Sequence, residues 1–523
     1  SVMVELRRSP GRAVLPALAV LWLAAALALP TGCGRPEPAL KHVIFFIGDG
    51  MSAESEVAAS RYLYGRDDGL VWQDLPVKAY VATWDVNVYN AHARRAGRPA
   101  YARSSFTPLL GYDVKTDGPN PRVGPEDGHR FPPGPATDSA SSATALATGF
   151  KTDSGNIAWL PGDPPEGAIP TIAEDLRERR GASIGVVSTV PFDHATPAAF
   201  VSHNTSRSAY YTGYKKTQGL GIADEIIFRT RPEVVIGGGH PLLDNPDFEP
   251  NKGYISEFLY HSLQGSSEYV FVERRAGEDG GRALAEGAAA AARDGRKLFG
   301  LFGGKGGNFE VPVAEDAPGA PRIRPATEEN PSLAEATLAA LDLLHRDPDG
   351  FFLLVEQGDI DWANHDNDFR AMIGSVSDLD GAVRAALAFV DRPGDDLDWT
   401  NTVLVVTADH ATGGLWFESR GALGPGDLPR QIERVSLPPG SDRGTGPDGA
   451  SLKSPVYDSP YVYPDEDVSY GTAGHTNELV NLAAKGAATR YLKRLRGTWY
   501  PGLIIDNTQI NAALRAALGL HSR

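Results

Sequence analysis

Seven residues able to hold a metal fall into four clusters along the chain: Asp49; then Glu356, Asp361 and His365; then Asp409 and His410; then His475. Asp361 and His365 are four apart, so one helical turn would set both on one face. Asp409 and His410 are adjacent, and a sharp turn after a strand would direct both at one ion. Carboxylate oxygen together with imidazole nitrogen is a zinc-type ligand set, whereas carboxylates and hydroxyls alone suit magnesium. A lone Asp–His pair is more often a structural hydrogen bond. Four such clusters point together to a metal centre.

A second stretch raises a different chemistry. In "GPATDSASSATALATG" (134–149) five hydroxylic residues lie between Ser139 and Thr148, and Asp138 stands directly before Ser139. The small residues and Leu146 allow a helix whose first turn offers unpaired N–H groups and the positive dipole end to an anion. Serine is a weak nucleophile at its free pKa and needs a base or a metal. No G-x-S-x-G elbow surrounds Ser139, which disfavours a hydrolase triad and favours metal activation. A bare helix cap at Asp138 with a small neighbour accounts for the same pair.

Strands and helices must bring these residues together. "HVIFFI" (42–47), "SIGVVSTV" (183–190), "FFLLVE" (351–356) and "TVLVVTA" (402–408) are continuous apolar, β-branched runs, the pattern of strands buried on both faces. Each runs into one of the polar clusters or into "PFDHATP". Between them, Thr171 with Glu174 and Ser332 with Glu335 fit the capping-box spacing of helix starts. Alternating strands and helices predict an α/β fold, a three-layer α/β/α sandwich around a mainly parallel sheet. Ligands of such sheets bind beyond the carboxyl ends of the strands, where the polar clusters that follow these four runs fall. Residues 86–135 and 417–470, rich in Gly, Pro and charge, read as insertions over the site, and about 240–330 as small peripheral elements.

At 523 residues with 41% hydrophobic composition, the chain can bury a large core. Its net charge of −16 argues against a broad nucleic-acid surface. Arg7-Arg8, an apolar run from Ala13 to Leu29 and then "PTGCG" read as an export signal over residues 1–32. "LPTGC" is similar to a bacterial lipoprotein cleavage box, which makes Cys33, the single cysteine, a candidate for lipidation. The expectation is an exported chain, periplasmic or at the cell surface, touching membrane only through that anchor. Residues 33–523 are then read as one catalytic domain.

"FFIGDGM", "TDSASSATALATG", "HATPAAFVSHNTSR", "VEQGDIDWANH", "TADH" and "GHTNE" occur in the order seen in metal-dependent alkaline phosphatases. The resemblance covers the core from about Lys41 to Lys485, and the Asp-Ser-Ala-x-Ser-Ala-Thr-Ala segment is its most specific part. It implies an alkaline-phosphatase-like fold and hydrolysis of phosphate monoesters by a two-zinc mechanism, with Ser139 transiently phosphorylated. It implies Asp361, His365 and His475 as ligands of a first zinc, and Asp49, Asp409 and His410 as ligands of a second. Asp49, Glu356 and Thr196 would reach a third metal, usually magnesium. Arg207 matches the arginine that grips the phosphoryl group. His194 stands where some members carry aspartate near the third metal, and Trp362 where some carry lysine or histidine, which puts that metal's identity in question. His203 has no implied role and is read as structural. Members are often homodimers, but no stretch here specifies an interface. A phosphodiesterase or sulfatase on the same metal core, or an inactive lipoprotein that binds only phosphate or metal, remain the alternatives.

Overall fold

The structure, a computed structural model of the chain, describes residues 40–113, 135–216, 219–243, 253–417, 424–428, 472–520 and the short strands between 442 and 470. The export signal and Cys33 lie outside the described residues, as do 114–134 and most of 417–470.

Ten strands form the central sheet: β1 (His42–Gly48), β2 (Val77–Ala82), β3 (Ser183–Pro191), β4 (Val234–Gly238), β5 (Tyr269–Glu273), β6 (Lys297–Leu301), β7 (Phe351–Gln357), β8 (Thr402–Thr407), β9 (Val480–Gly486) and β10 (Ile504–Asp506). Their spatial order is β10-β2-β9-β8-β1-β7-β3-β4-β6-β5. Only β9 runs against its neighbours β8 and β2. The four apolar runs of the sequence are thus the four adjacent strands β8-β1-β7-β3 at the centre of the sheet. Apart from partly buried Ser183 at the start of β3, their residues are all buried. Parallel crossovers leave both sheet faces covered, which explains why these runs do not alternate.

Register then brings the functional ends level. His42 on β1 pairs with both Phe351 and Thr402, and Ser183 pairs with Phe351. Three strands starting level reach their carboxyl ends level, so Ile47, Glu356 and Ser188 lie in one row across β1, β7 and β3.

The helices used below are α1 (Ala53–Tyr64), α2 (Ser139–Thr148), α3 (Ile172–Arg180), α4 (Ala195–Val201), α5 (Gly280–Asp294), α6 (Leu333–Leu344), α7 (Asp359–His365), α8 (Phe369–Val390) and α9 (Asn507–Leu518). One group packs α1 and α6 against the long α8, with α5 against α6; another packs α3, α4 and α9 around α2. Both expected capping boxes form, at Thr171 for α3 and Ser332 for α6. Phe200 of α4 closes on Phe45 of β1 and Phe352 of β7, with ring centroids 6.0 and 5.7 Å apart. Burying side chains of this size contributes about 1.5–3 kcal/mol each, so the core fixes the strand ends that carry the site.

Two readings of the irregular regions need correction. Residues 240–330 supply β5, β6 and the 15-residue α5, which complete one edge of the central sheet. These strands are only five residues long, and β5 is mostly half-buried, so neither shows the long apolar run of the central ones. Residues 86–113 are also not a plain loop. Asp85 caps a helix over Val86–Arg95, and Tyr89, Tyr101 and Phe106 close with Trp84 and Trp499 into a separate aromatic core. Among the described residues no helix is long and apolar enough to cross a membrane.

Candidate active site

The site begins with the turn after β1. Gly50 takes a φ of +67°, and a Cβ there would meet the Cα of Asp361 at 2.7 Å. Only glycine lets this turn press against the first turn of α7. Its N–H donates to Asp409 Oδ1 at 3.1 Å, which ties the ends of β1 and β8 together.

Asp361, His365 and His475 form one ligand group, and Asp49, Asp361 and His410 a second that shares Asp361. In the first, His365 Nε2 and His475 Nε2 stand 3.1 Å apart, at 3.3 and 3.5 Å from the Asp361 carboxylate. His365 Nδ1 lies 2.6 Å from the Ala473 carbonyl and His475 Nδ1 lies 2.7 Å from the Thr137 carbonyl. A carbonyl only accepts, so each Nδ1 carries a proton and each Nε2 faces the Asp361 carboxylate. Burial opposes charge on both rings, but Asp361 outweighs it, raising His365 to about 9 and His475 above the usual range; a cation at that point would take the place of the ring protons. Two imidazole nitrogens and a carboxylate converging on one point fit a bound cation. The backbone carbonyls are the outer supports usual for metal-binding histidines.

His410 stacks on His475 with centroids 3.7 Å apart and joins the two groups. Its Nε2 lies 3.1 Å from Ser139 Oγ, 3.4 Å from Asp49 Oδ1 and 3.2 Å from Asp409 Oδ2. Burial drives the His410 pKa well below the usual range, leaving a neutral ring fit to ligate. Asp49 is pushed well above the usual carboxylate range by burial and then by the charges of Asp409, Asp361 and Glu356. Burial likewise lifts Glu356 to about 7 and Asp409 to about 6. Glu356 accepts a hydrogen bond from Ser188, its neighbour in the row across β7 and β3. Its Oε1, Thr196 Oγ1, Asp409 Oδ2 and His194 Nδ1 are all buried without a hydrogen-bond partner. Orphaned acceptors and crowded carboxylates of this kind fit bound cations, which would satisfy the lone pairs and offset the repulsion.

Ser139 opens α2, a helix buried along its whole length. Its Oγ also lies 3.5 Å from Asp49 Oδ1, so the hydroxyl faces the metal-type cluster. Asp138 does more than cap. Its Oδ1 accepts from Ser141 N–H at 3.0 Å, and its Oδ2 accepts from Arg207 Nη1 at 2.9 Å. Burial alone would raise the Asp138 pKa, but Arg207 and the Ser141 hydrogen bonds outweigh it and hold the carboxyl down at about 2. The pair at the helix entrance therefore sets both the nucleophile-type hydroxyl and the guanidinium.

Thr196 and His194 belong to the first turn and cap of α4, after β3. The His194 ring meets Trp362 edge to face at 5.9 Å. His203 lies away from the cluster. Its Nδ1 is 3.0 Å from Glu225 and its Nε2 is 3.3 Å from Glu174, so it fastens the segment leading to Arg207. Of the expected site residues, all those from Asp49 to His475 gather at the carboxyl ends of the central strands; Cys33 lies outside the described residues.

Sequence reasoning passed over Asp193, which is wholly buried with neither carboxylate oxygen hydrogen-bonded. Burial pushes its pKa well above the usual range. It also passed over Thr412, whose hydroxyl donates to Asp361 Oδ1. The "PFDHATP" segment did flag the turn holding Asp193, but nothing in its spacing separates Asp193 from His194.

A ten-stranded, mainly parallel sheet with a carboxylate–imidazole cluster and a helix-borne serine at its strand ends defines an α/β sandwich with a candidate metal site beyond its strand ends. The alkaline phosphatase family model matches residues 123–520, and the chain belongs to that family. It is 30% identical over 285 residues to Alkaline phosphatase 4 of Bacillus subtilis, a match covering 54% of this chain and 51% of that protein. The chain therefore spans about half the length of that relative. It is 28% identical over 527 residues to Streptomycin-6-phosphate phosphatase of Streptomyces griseus, covering 96% of each. The fold matches the crystal structure of Thermus thermophilus alkaline phosphatase with a TM-score of 0.58 at 21% identity, covering 94% of this chain and 96% of that one.

Proposed function

We propose that this chain hydrolyses phosphate monoesters to an alcohol and inorganic phosphate, with Ser139 as the covalent nucleophile. The observation that carries the reading is the Ser139 hydroxyl, held at a helix N-terminus 3.1 Å from His410 Nε2 and facing the ligand cluster. Asp361, His365 and His475 would hold one zinc and Asp49, Asp409 and His410 a second. Asp49, Glu356 and Thr196 would hold magnesium, with His194 beside it. Bound there, the ions would supply Lewis acidity to lower the serine hydroxyl pKa and to offset charge on the departing alkoxide.

The chain's own residues do the rest. Asp138 keeps the Arg207 fork aimed so that it can pair with two non-bridging phosphate oxygens, which lysine could not do. The helix N-terminus adds oriented N–H dipoles where negative charge gathers. Ser139 Oγ attacks phosphorus in line, its proton passes to solvent, and the bond from phosphorus to the ester oxygen breaks. The alcohol leaves with a proton from solvent. Water then attacks the phosphoserine, returns the proton to Ser139 and releases phosphate. Two inversions give net retention at phosphorus. The names of the relatives divide between alkaline phosphatases and a phosphatase of streptomycin 6-phosphate, so the substrate class proposed is phosphate monoesters at large. We further propose export of the chain, resting on the character of its first 33 residues.

The test is turnover of p-nitrophenyl phosphate by protein supplied with zinc and magnesium, beside the bis-ester, a sulfate ester and Ser139→Ala. Strong monoester turnover that collapses in the variant is the expected outcome. Dominant turnover of the bis-ester or the sulfate would replace the reading with a phosphodiesterase or a sulfatase.

A further inference from the structure

Beyond the ligand cluster, two glycine-rich segments at strand ends have no part in the chemistry above: Gly237-Gly238-Gly239, which closes β4, and Gly303 to Gly307 after β6. They are joined by backbone, with Gly239 N–H donating to Gly307 O at 2.6 Å. Their glycines make room for a tyrosine. A Cβ at Gly307, where φ is +93°, would come within 2.3 Å of the Tyr254 ring, and one at Gly239 within 3.2 Å of Tyr254 Cβ. Tyr254 therefore lies on a bare backbone shelf that fixes its ring.

From that shelf an aromatic arc runs in both directions to residues of the site. On one side Tyr254 meets Tyr210 edge to face at 5.0 Å, and Tyr210 meets Tyr214 at 5.4 Å. Tyr210 stands three residues after Arg207 in the same segment. On the other side Tyr254 Oη lies 3.4 Å from the Gly306 carbonyl, and a Cβ on Gly306 would be 3.8 Å from the Trp362 ring. Trp362 follows Asp361 directly and packs on His194. All four rings are half-buried, so each keeps surface towards solvent. A simple packing core would bury such rings and would not need a shelf of glycines beneath one of them.

We propose that Tyr214, Tyr210, Tyr254 and Trp362 form the wall that receives the alcohol half of the ester, and that it selects alcohols carrying a flat ring. The inference rests on the phosphomonoesterase reading above. In that reading the phosphoryl group sits between Arg207 and the cluster, and the arc adjoins both, through Tyr210 near Arg207 and Trp362 beside Asp361. Aromatic faces and edges attract a ring through dispersion and quadrupole contacts, and they offer little to a short polyol. Holding the rings in place beforehand avoids an ordering cost on binding.

The experiment compares kcat/KM for phenyl phosphate and glycerol 1-phosphate in the metal-loaded wild type, Tyr254→Ala and Tyr254→Leu. Tyr254→Leu keeps an apolar side chain on the shelf and removes only the ring. The ratio of the two substrates within each protein is read, so any general loss of active enzyme cancels. The ratio is expected to fall roughly tenfold in both variants, chiefly through KM for the ring-bearing ester. A ratio within twofold of wild type overturns the wall. If the wild type turns over neither ester, the phosphomonoesterase reading fails. The wall is then judged by calorimetric binding of phenylphosphonate against methylphosphonate, where a preference for the phenyl compound must be present in wild type and lost in Tyr254→Ala.

Discussion

Asp138 shows how one carboxylate can serve two ends of a reaction site. It caps the helix that presents Ser139 and holds the guanidinium of Arg207, and its low pKa keeps that charge throughout neutral and alkaline conditions. Replacing Arg207 by lysine keeps a positive charge but removes the planar fork. We expect a loss of about 2 kcal/mol in transition-state stabilisation, roughly thirtyfold in kcat/KM, read by steady-state kinetics on a small phosphate ester. Asp138→Ala removes the cap, at about 1 kcal/mol of stability, and releases Arg207, so KM should rise while Ser139 is untouched. At this scale much was legible in the sequence, because ligand-type residues kept their types and spacing. The supports were not. The carbonyls of Thr137 and Ala473, which orient His475 and His365, belong to the backbone, and no side-chain pattern reports them.

Elements position these residues through register and through clamps between loops and helices. The segment joining α4 to Arg207 is fastened by His203, gripped by Glu225 and by Glu174 of the α3 capping box. Burial opposes charge on this imidazole, but the two carboxylates prevail and raise its pKa from 6.5 to about 10. A histidine raised in the folded state contributes stability that is fully present below its unfolded pKa and lost as pH climbs through its folded one. The clamp should therefore act fully below about pH 6.5 and fade towards pH 10. His203→Gln should cost roughly 2 kcal/mol at pH 6 and much less at pH 10, read as the difference in Tm from wild type at each pH. A Tm difference independent of pH would mean that His203 acts only by packing. The central strands were legible because burial on both faces writes an unbroken apolar run. Strands β5 and β6 were not, since each is only five residues long and β5 is mostly half-buried, so they look like any short apolar stretch.

Across the whole molecule, the cost of crowding four carboxylates at the end of an apolar sheet must be met by whatever binds there. Stripped of metal, the protein has Asp49, Glu356 and Asp409 with pKa values raised by burial and mutual repulsion. Folded groups of this kind hold protons that the unfolded chain has released, so stability falls as pH rises from about 4 through about 7. A chelator should thus lower Tm more at pH 8 than at pH 5.5. Restoring metal at a thousandfold excess over Kd should return about 4 kcal/mol; equal chelator effects at the two pH values would contradict this electrostatic account. The architecture itself followed from alternating strands and helices, whereas its full width did not, because edge strands contribute pairing without a distinctive pattern. The central claim is that Ser139 is the covalent nucleophile of a phosphate monoesterase. The most direct measurement is acid quenching of the metal-loaded enzyme during turnover of a phosphate monoester, followed by mass spectrometry of the peptide spanning Ser139. Phosphoserine at Ser139 that is absent from Ser139→Ala is the predicted result, while full turnover in Ser139→Ala, or phosphate trapped on another residue, would contradict it.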